Sequence, residues 1–187
     1  MLEKCSFGLE IIFNMNKAIK NFFKRILNRP QPEESFLVCV KMGIKAFITI
    51  SCLSAIGHFS GQPLIIAPFA ASCITIYTAP KEEFAQPMNV IGGYLIASFI
   101  GILAIILLPH QWWILGLVLL ITISAMAYLR VTHPPAGSIP FVIFFYHPFD
   151  ALYEVLIPAI VGSFGVVIMA LILNNIPFAK REYPRKL

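Results

Sequence analysis

The stretch Thr132-His133-Pro134-Pro135-Ala136-Gly137-Ser138 decides how this chain is read. It stands between two long apolar runs, Trp112 to Leu129 and Leu152 to Leu173. Paired prolines stop one helix and favour the start of another, because the ring fixes φ and lacks an N–H that a first turn leaves unpaired anyway. Threonine, histidine and serine beside them are polar groups where the flanks imply lipid, and polar groups there are costly. The heptad reads as the centre of a site, and the rest of the chain as its frame.

The frame is apolar. Of 187 residues, 58% are hydrophobic and 12% charged, and the mean hydropathy is +0.82. A soluble domain carries roughly 25% charged residues, so the lipid bilayer is the expected solvent. The net charge of +5 gathers mainly at the two ends. That pattern suits an anionic membrane surface and the control of topology rather than nucleic acid. Cys5, Cys39, Cys52 and Cys73 have no C-x-x-C or metal-ligand spacing and read as small hydrophobes.

Three domains are expected: residues 1–34, 35–176 and 177–187. From Glu10 to Leu27, apolar residues such as Ile12, Ile19, Phe23 and Ile26 recur at helical spacing among lysines and Arg25. This predicts an amphipathic helix lying in the headgroup layer, on the cytoplasmic side. Residues 28–34 form a linker, since Pro30 and Pro32 cannot continue a helix. The basic tail from residue 177 is expected in the cytoplasm as well.

Between these ends the expected fold is an all-α polytopic membrane protein. Four long runs, about Phe36–Gly57, Asn89–Leu108, Trp112–Leu129 and Leu152–Leu173, approach the length that crosses a bilayer. Gly93, Ala97 and Gly101 make a small-residue ridge that offers a helix contact, including one between copies in a homo-oligomer. Two shorter segments, Pro68–Ala79 and Pro134–Tyr146, read as proline-started half-helices. Pro68-Phe69-Ala70-Ala71-Ser72 aligns with Pro134-Pro135-Ala136-Gly137-Ser138. The pattern long–short–long thus recurs over residues 35–108 and 112–176. With both termini cytoplasmic, six crossings place Lys81 and Arg130 inside as well, and the positive-inside bias favours six over four. Six crossings make the halves inverted copies, an arrangement used by transporters.

The chemistry follows from the two short segments. Unpaired N–H groups and the helix dipole, roughly half a positive charge, make a helix start an anion site. Ala136, Gly137 and Ser138 supply one such start, with Thr132 and His133 at the cap, and Ala70, Ala71 and Ser72 supply another. The plainer alternative is that the prolines only kink helices, with His133 bonded to a carbonyl. Lys41 and Lys45 lie one turn apart and either snorkel to the surface or steer anions inward. Arg130 reads as a topology anchor one turn from His133, and His133 titrates near neutrality and can carry a proton with an anion. No metal cluster, phosphate loop or nucleophile–base pair is visible, so no cofactor and no enzymatic activity are expected.

Thr132-His133-Pro134-Pro135-Ala136-Gly137 resembles the signature of the HPP family of integral membrane proteins. Ala85-Gln86-Pro87-Met88-Asn89-Val90-Ile91-Gly92-Gly93 is similar to that family's second marked stretch, and Ala67-Pro68-Phe69-Ala70-Ala71-Ser72 to a third. Ala67, Pro68 and Ala70 replace Gly, Ser and Gly there, and Met88 stands where a basic residue is common. The resemblance covers roughly residues 36–176 and implies a transporting membrane protein, with nitrite the substrate suggested by plant chloroplast members. The combined expectation is a transporter or channel for a small inorganic anion in a bacterial inner membrane. A non-transporting scaffold or partner subunit is the other reading.

Overall fold

A computed structural model describes residues 19–146, 148–176 and 182–186 of the chain. It forms two units, Met1–Phe36 and Leu37–Leu187. In the first, residues 19–26 form a helix, α1, whose Ile19, Phe22, Phe23 and Ile26 are all exposed. The earlier part of the expected amphipathic helix, residues 10–18, lies outside the described residues. Residues 28–34 are not helical, as Pro30 and Pro32 require.

Among the described residues every regular element is helical. Three helices among the described residues are long and apolar enough to cross a membrane, Phe36–Ser60, Pro87–Leu107 and Leu152–Asn175, where the sequence suggests four. The first, α2, has no proline inside it and ends at Gly61, whose φ of 68° is left-handed. Gln62 N–H then reaches back to Gly57 O at 3.1 Å, closing a glycine C-cap of the Schellman type. Only Lys45, Thr49 and Leu53 of α2 are buried, one turn apart along a single stripe. Its other faces expose Phe47 and Phe59, an arrangement that lipid tolerates and water does not.

The short segments begin where the prolines predict. Helix α3 is Pro68–Thr78; the second segment is a 3-10 turn, Pro134–Ser138, continued by α6, Ile139–Phe144. Each is 11 residues long, well short of a bilayer's ~30 Å as helix. Helix α4, Pro87–Leu107, is central and buries Val90, Gly93, Tyr94, Ala97, Ser98, Gly101 and Ala104. Helix α5, Ile114–Tyr128, has 15 residues, fewer than the run from Trp112 to Leu129 suggests. Trp112 and Trp113 are spent in a turn, where both rings are exposed. Proline stops at Pro80 and Pro148 bound the short segments. A four-residue helix α7, Pro148–Ala151, leads through wide π-helical turns at Leu152–Leu156 and Pro158–Gly162 into α8, Ser163–Asn175. Pro158 lacks the N–H that a regular turn needs, which favours the wider winding.

The small-residue ridge is used within the chain rather than between copies. A Cβ at Gly93 would lie 2.8 Å from His133 Cβ, and one at Gly101 would lie 3.2 Å from Pro140 Cα. The ridge therefore packs against the second short segment and is not free to join a homo-oligomer.

Among the described residues, side-chain contacts gather the elements at two ends of the bundle. At one end, Arg185 pairs with Glu83, Asn89 Nδ2 donates to Thr132 O, and Lys45 Nζ donates to Asn174 Oδ1. These bonds gather the first half of α2, residues 79–86, residues 129–133, the end of α8 and the tail segment 182–186. At the other end, Tyr153 Oη donates to Gly61 O and the His110 and Phe144 rings meet edge to face. Connections 61–67, 108–113 and 145–151 lie there and contain no lysine or arginine.

Candidate functional site

Two helix starts meet at the tail end. Ser72, the fifth residue of α3, is fully buried, and its Oγ lies 2.8 Å from both Tyr94 Oη and His133 Nε2. His133 is also fully buried, and its Nδ1 lies 2.6 Å from Phe84 O. A carbonyl oxygen only accepts, so Nδ1 carries the proton in that bond. In the neutral imidazole Nε2 is then an acceptor and takes the Ser72 hydroxyl proton. Ser72 Oγ in turn accepts from Tyr94. The result is a directed chain, Tyr94 to Ser72 to His133 to Phe84, fixed at its far end by main chain.

The local reasons are legible element by element. His133 has an extended backbone, φ −133° and ψ 103°, because the residue before a proline is pushed out of the α region. That conformation directs its ring inward against Gly93, where any larger residue would collide with it. Gly93 lies six residues into α4, so the imidazole sits about 9 Å below that helix's start. Tyr94 comes from the buried stripe of α4 and stacks at a tilt on Phe69 and His133, centroids 5.2 and 5.7 Å away. One turn deeper on α4, Ser98 Oγ is fully buried with no hydrogen-bond partner among the described residues.

The other expected site residues divide. The Thr132 carbonyl accepts Asn89 Nδ2 at 3.1 Å, joining the heptad to the start of α4. Pro135 and Ala136 are buried, and Pro134 is exposed. Ala136 N–H bonds back to His133 O at 3.0 Å, and Ser138 Oγ turns onto Pro135 O at 2.8 Å. Gly137 faces open space. In α3, Phe69 and Ala70 N–H groups are bonded to Ile66 O and Ala67 O, while Ala71 is exposed. The structure thus joins Ser72 to His133, and Ser138 does not face them.

Lys45 does not snorkel to the surface. It is 9% exposed; its Nζ donates to Asn174 Oδ1 at 2.9 Å and lies 5.9 Å from the Tyr77 ring centre. Tyr77 Oη is 2.5 Å from Thr49 Oγ1. This second polar cluster links the first and last long helices. Lys41 and Arg130 are exposed, and among the described residues no side-chain hydrogen bond or ion pair joins either to these clusters. Arg130 occupies the left-handed region, φ 57°, with Val131 N–H bonded to Met126 O, so it fills a C-cap position where glycine is usual.

Tyr94, Tyr77, Thr49, Asn174, Ser98 and the Phe84 carbonyl are site groups that sequence reasoning did not pick out. Tyr183 is another. It is 2% exposed, and its Oη donates to Ala85 O at 2.8 Å. Burial pushes its phenol up from its ordinary range, which keeps the hydroxyl a donor even in alkaline solution. Gln86 stands at the N-cap of α4 but its side chain makes no cap bond; its Nε2 donates to Pro80 O and Glu82 O. Two open clefts at the opposite end, about 250 and 520 Å³, include no residue of the His133 network. Among the described residues no group of three or more His, Cys, Asp or Glu is placed to hold a metal ion.

Two transmembrane proteins of Dictyostelium discoideum are similar to this chain. One is 30% identical over 127 residues, 64% of this chain and 40% of that protein. The other is 28% identical over 128 residues, 65% of this chain and 44% of that protein. The chain thus spans less than half the length of these relatives. No solved structure matches it. The HPP transmembrane-region family matches over residues 31–184, which takes in both short segments and every long helix, and the chain is an integral membrane protein of that family.

Proposed function

We propose that the chain carries a small inorganic monoanion, nitrite foremost, across the plasma membrane without enzymatic turnover. The observation that carries this reading is the buried Ser72–His133 hydrogen bond, which joins the two proline-started segments. Buried polar groups are expensive in lipid and tend to mark substrate paths. In the closed arrangement Ser72, Tyr94 and His133 satisfy one another. When the segments part, two hydroxyls and an imidazole nitrogen turn to a ligand. A planar anion with two oxygens accepts from both hydroxyls, and a protonated imidazole adds a third donor with positive charge. Anion and proton then move as a neutral pair. The unpartnered hydroxyl of Ser98 is the next polar group inward along α4.

We read the two halves, residues 35–108 and 112–176, as inverted copies that open by rocking against each other. Their contacts are reciprocal, which supports this. Gly93 of the first half packs on His133 of the second, and Gly162 of the second packs on the Phe69 ring of the first. Helix α4 packs on α5, and α8 on α2 through Gly165 and Leu53. The tail end carries Lys81, Arg130, Arg185 and Lys186, which supports reading it as the cytoplasmic end of a chain that crosses six times, with non-helical residues completing the two 11-residue segments.

The test is uptake of nitrite, chloride, bicarbonate and formate into proteoliposomes across a pH series. The reading expects saturable nitrite uptake that rises with an inward proton gradient. Uptake equal to that of protein-free vesicles for all four anions would leave the chain as a scaffold or partner subunit.

A further inference from the structure

The tail segment fastens one short turn, and that turn holds the candidate site. The 3-10 turn Glu83–Ala85 spends its N–H groups locally: Ala85 N–H bonds to Glu82 O and Gln86 N–H to Glu83 O, each at 3.1 Å. Its Phe84 and Ala85 carbonyls are taken by side chains from elsewhere. Phe84 O accepts His133 Nδ1–H, and the next carbonyl, Ala85 O, accepts Tyr183 Oη–H. The tail adds two more ties: Arg185 N–H donates to Gln86 Oε1 at 3.0 Å, and Arg185 Nη2 reaches Glu83 Oε1 at 3.3 Å. Tyr183 N–H is itself held by Asn175 Oδ1 at the end of α8. The two carbonyls belong to peptide planes that meet at the Ala85 Cα, so while the turn's hydrogen bonds hold that residue's φ and ψ the two planes move together.

We propose that Tyr183 is a positioning residue for the site, and that segment 182–186 is a strap closing its cytoplasmic side. Through Ala85 it holds the Phe84 carbonyl where that oxygen fixes His133 with Nδ1 protonated and Nε2 turned to Ser72. Release of the strap frees the turn, lets the imidazole proton exchange between its two nitrogens, and opens a path from the tail end to Ser72. That this path serves an anion rests on the transport reading; the coupling of tail to imidazole does not.

The chain carries its own reporter. Cys73 adjoins Ser72 on α3 and is 1% exposed. With Cys5, Cys39 and Cys52 changed to serine, labelling of Cys73 by a water-soluble maleimide in proteoliposomes reads opening, and ¹⁵N NMR of His133 reads its tautomer. Tyr183→Phe removes one oxygen atom and one neutral hydrogen bond, and it should speed labelling about three- to tenfold. It should also shift the imidazole from a single Nδ1–H form to a mixture. Deletion of residues 182–187 should do both more strongly; if that shortened chain fails to fold, Tyr183→Phe decides alone. An unchanged tautomer and an unchanged labelling rate in Tyr183→Phe overturn the strap. Nitrite uptake measured on the same samples separates the two readings. Faster labelling with no uptake in the parent supports the strap and removes the transport reading. Uptake with unaltered labelling removes the strap alone.

Discussion

Ser72 Oγ and His133 Nε2 stand 2.8 Å apart although 61 residues separate them in the chain. No other pair ties the two proline-started segments by side chains among the bonds described here, and the imidazole is sealed on its other edge by Phe84 O. His133→Ala removes a fully buried ring and leaves Ser72 and the Phe84 carbonyl without their partner. The expected cost is about 3 kcal/mol, a cavity plus orphaned polar groups. Ser72→Ala should cost about 1 kcal/mol, read by chemical or thermal unfolding in detergent. Equal, small effects of the two changes would contradict the geometry.

The glycines of the bundle should differ sharply in their tolerance of alanine. At Gly93 and Gly162 a Cβ would lie 2.8 Å from His133 Cβ and 2.3 Å from the Phe69 ring. Gly93→Ala and Gly162→Ala are expected to destabilise by about 1–3 kcal/mol through overpacking. Gly116 in α5 has nothing within 4 Å of that position, so Gly116→Ala should be neutral or stabilising by about 0.5–1 kcal/mol.

Arg130 holds a left-handed C-cap, φ 57°, that costs a non-glycine residue about 1 kcal/mol. Arg130→Gly should therefore raise stability by roughly that amount. If Arg130 also steers anions, uptake falls in the same variant while stability rises, and the two effects separate on one protein.

Lys45 and Asn174 should show strong coupling. Asn174→Leu leaves the buried ammonium without this acceptor, an expected loss of about 1.5–3 kcal/mol. The double change Lys45→Met with Asn174→Leu should cost less than the sum of the two, because neither polar group remains stranded. Additive losses would mean the bond contributes nothing.

The contacts at the tail end also predict topology. Cysteines placed at Lys81 and Arg130 should be labelled from the same side as one at Arg185, and a cysteine at His110 from the opposite side. Lys81 labelled opposite to Arg185 would contradict six crossings.

What the sequence reveals here is what single residues dictate. Pro68 and Pro134 start the short segments and Pro80 and Pro148 stop them, because a proline's effect is local. The pairing of those two starts is legible too, as a repeated proline-small-serine pattern. The direction of each serine is not. Ser138 finds a carbonyl three residues back, whereas Ser72 finds an imidazole, and only the fold decides which is nearer. Lys45 and Asn174 lie 129 residues apart with no local signal that they meet. Tyr94 and Tyr77 look like ordinary members of apolar runs, and Tyr183 is masked by the basic residues around it. The run from Trp112 to Leu129 reads longer than α5 because hydropathy does not distinguish a tryptophan turn from a first helical turn.

The most direct test of the central claim is initial nitrite uptake into proteoliposomes by the parent chain and by Ser72→Ala/His133→Gln, at equal protein and with folding checked by unfolding midpoint. The account predicts saturable uptake by the parent and its loss, at least tenfold, in the double variant. A folded double variant that takes up nitrite at the parent's rate would contradict it.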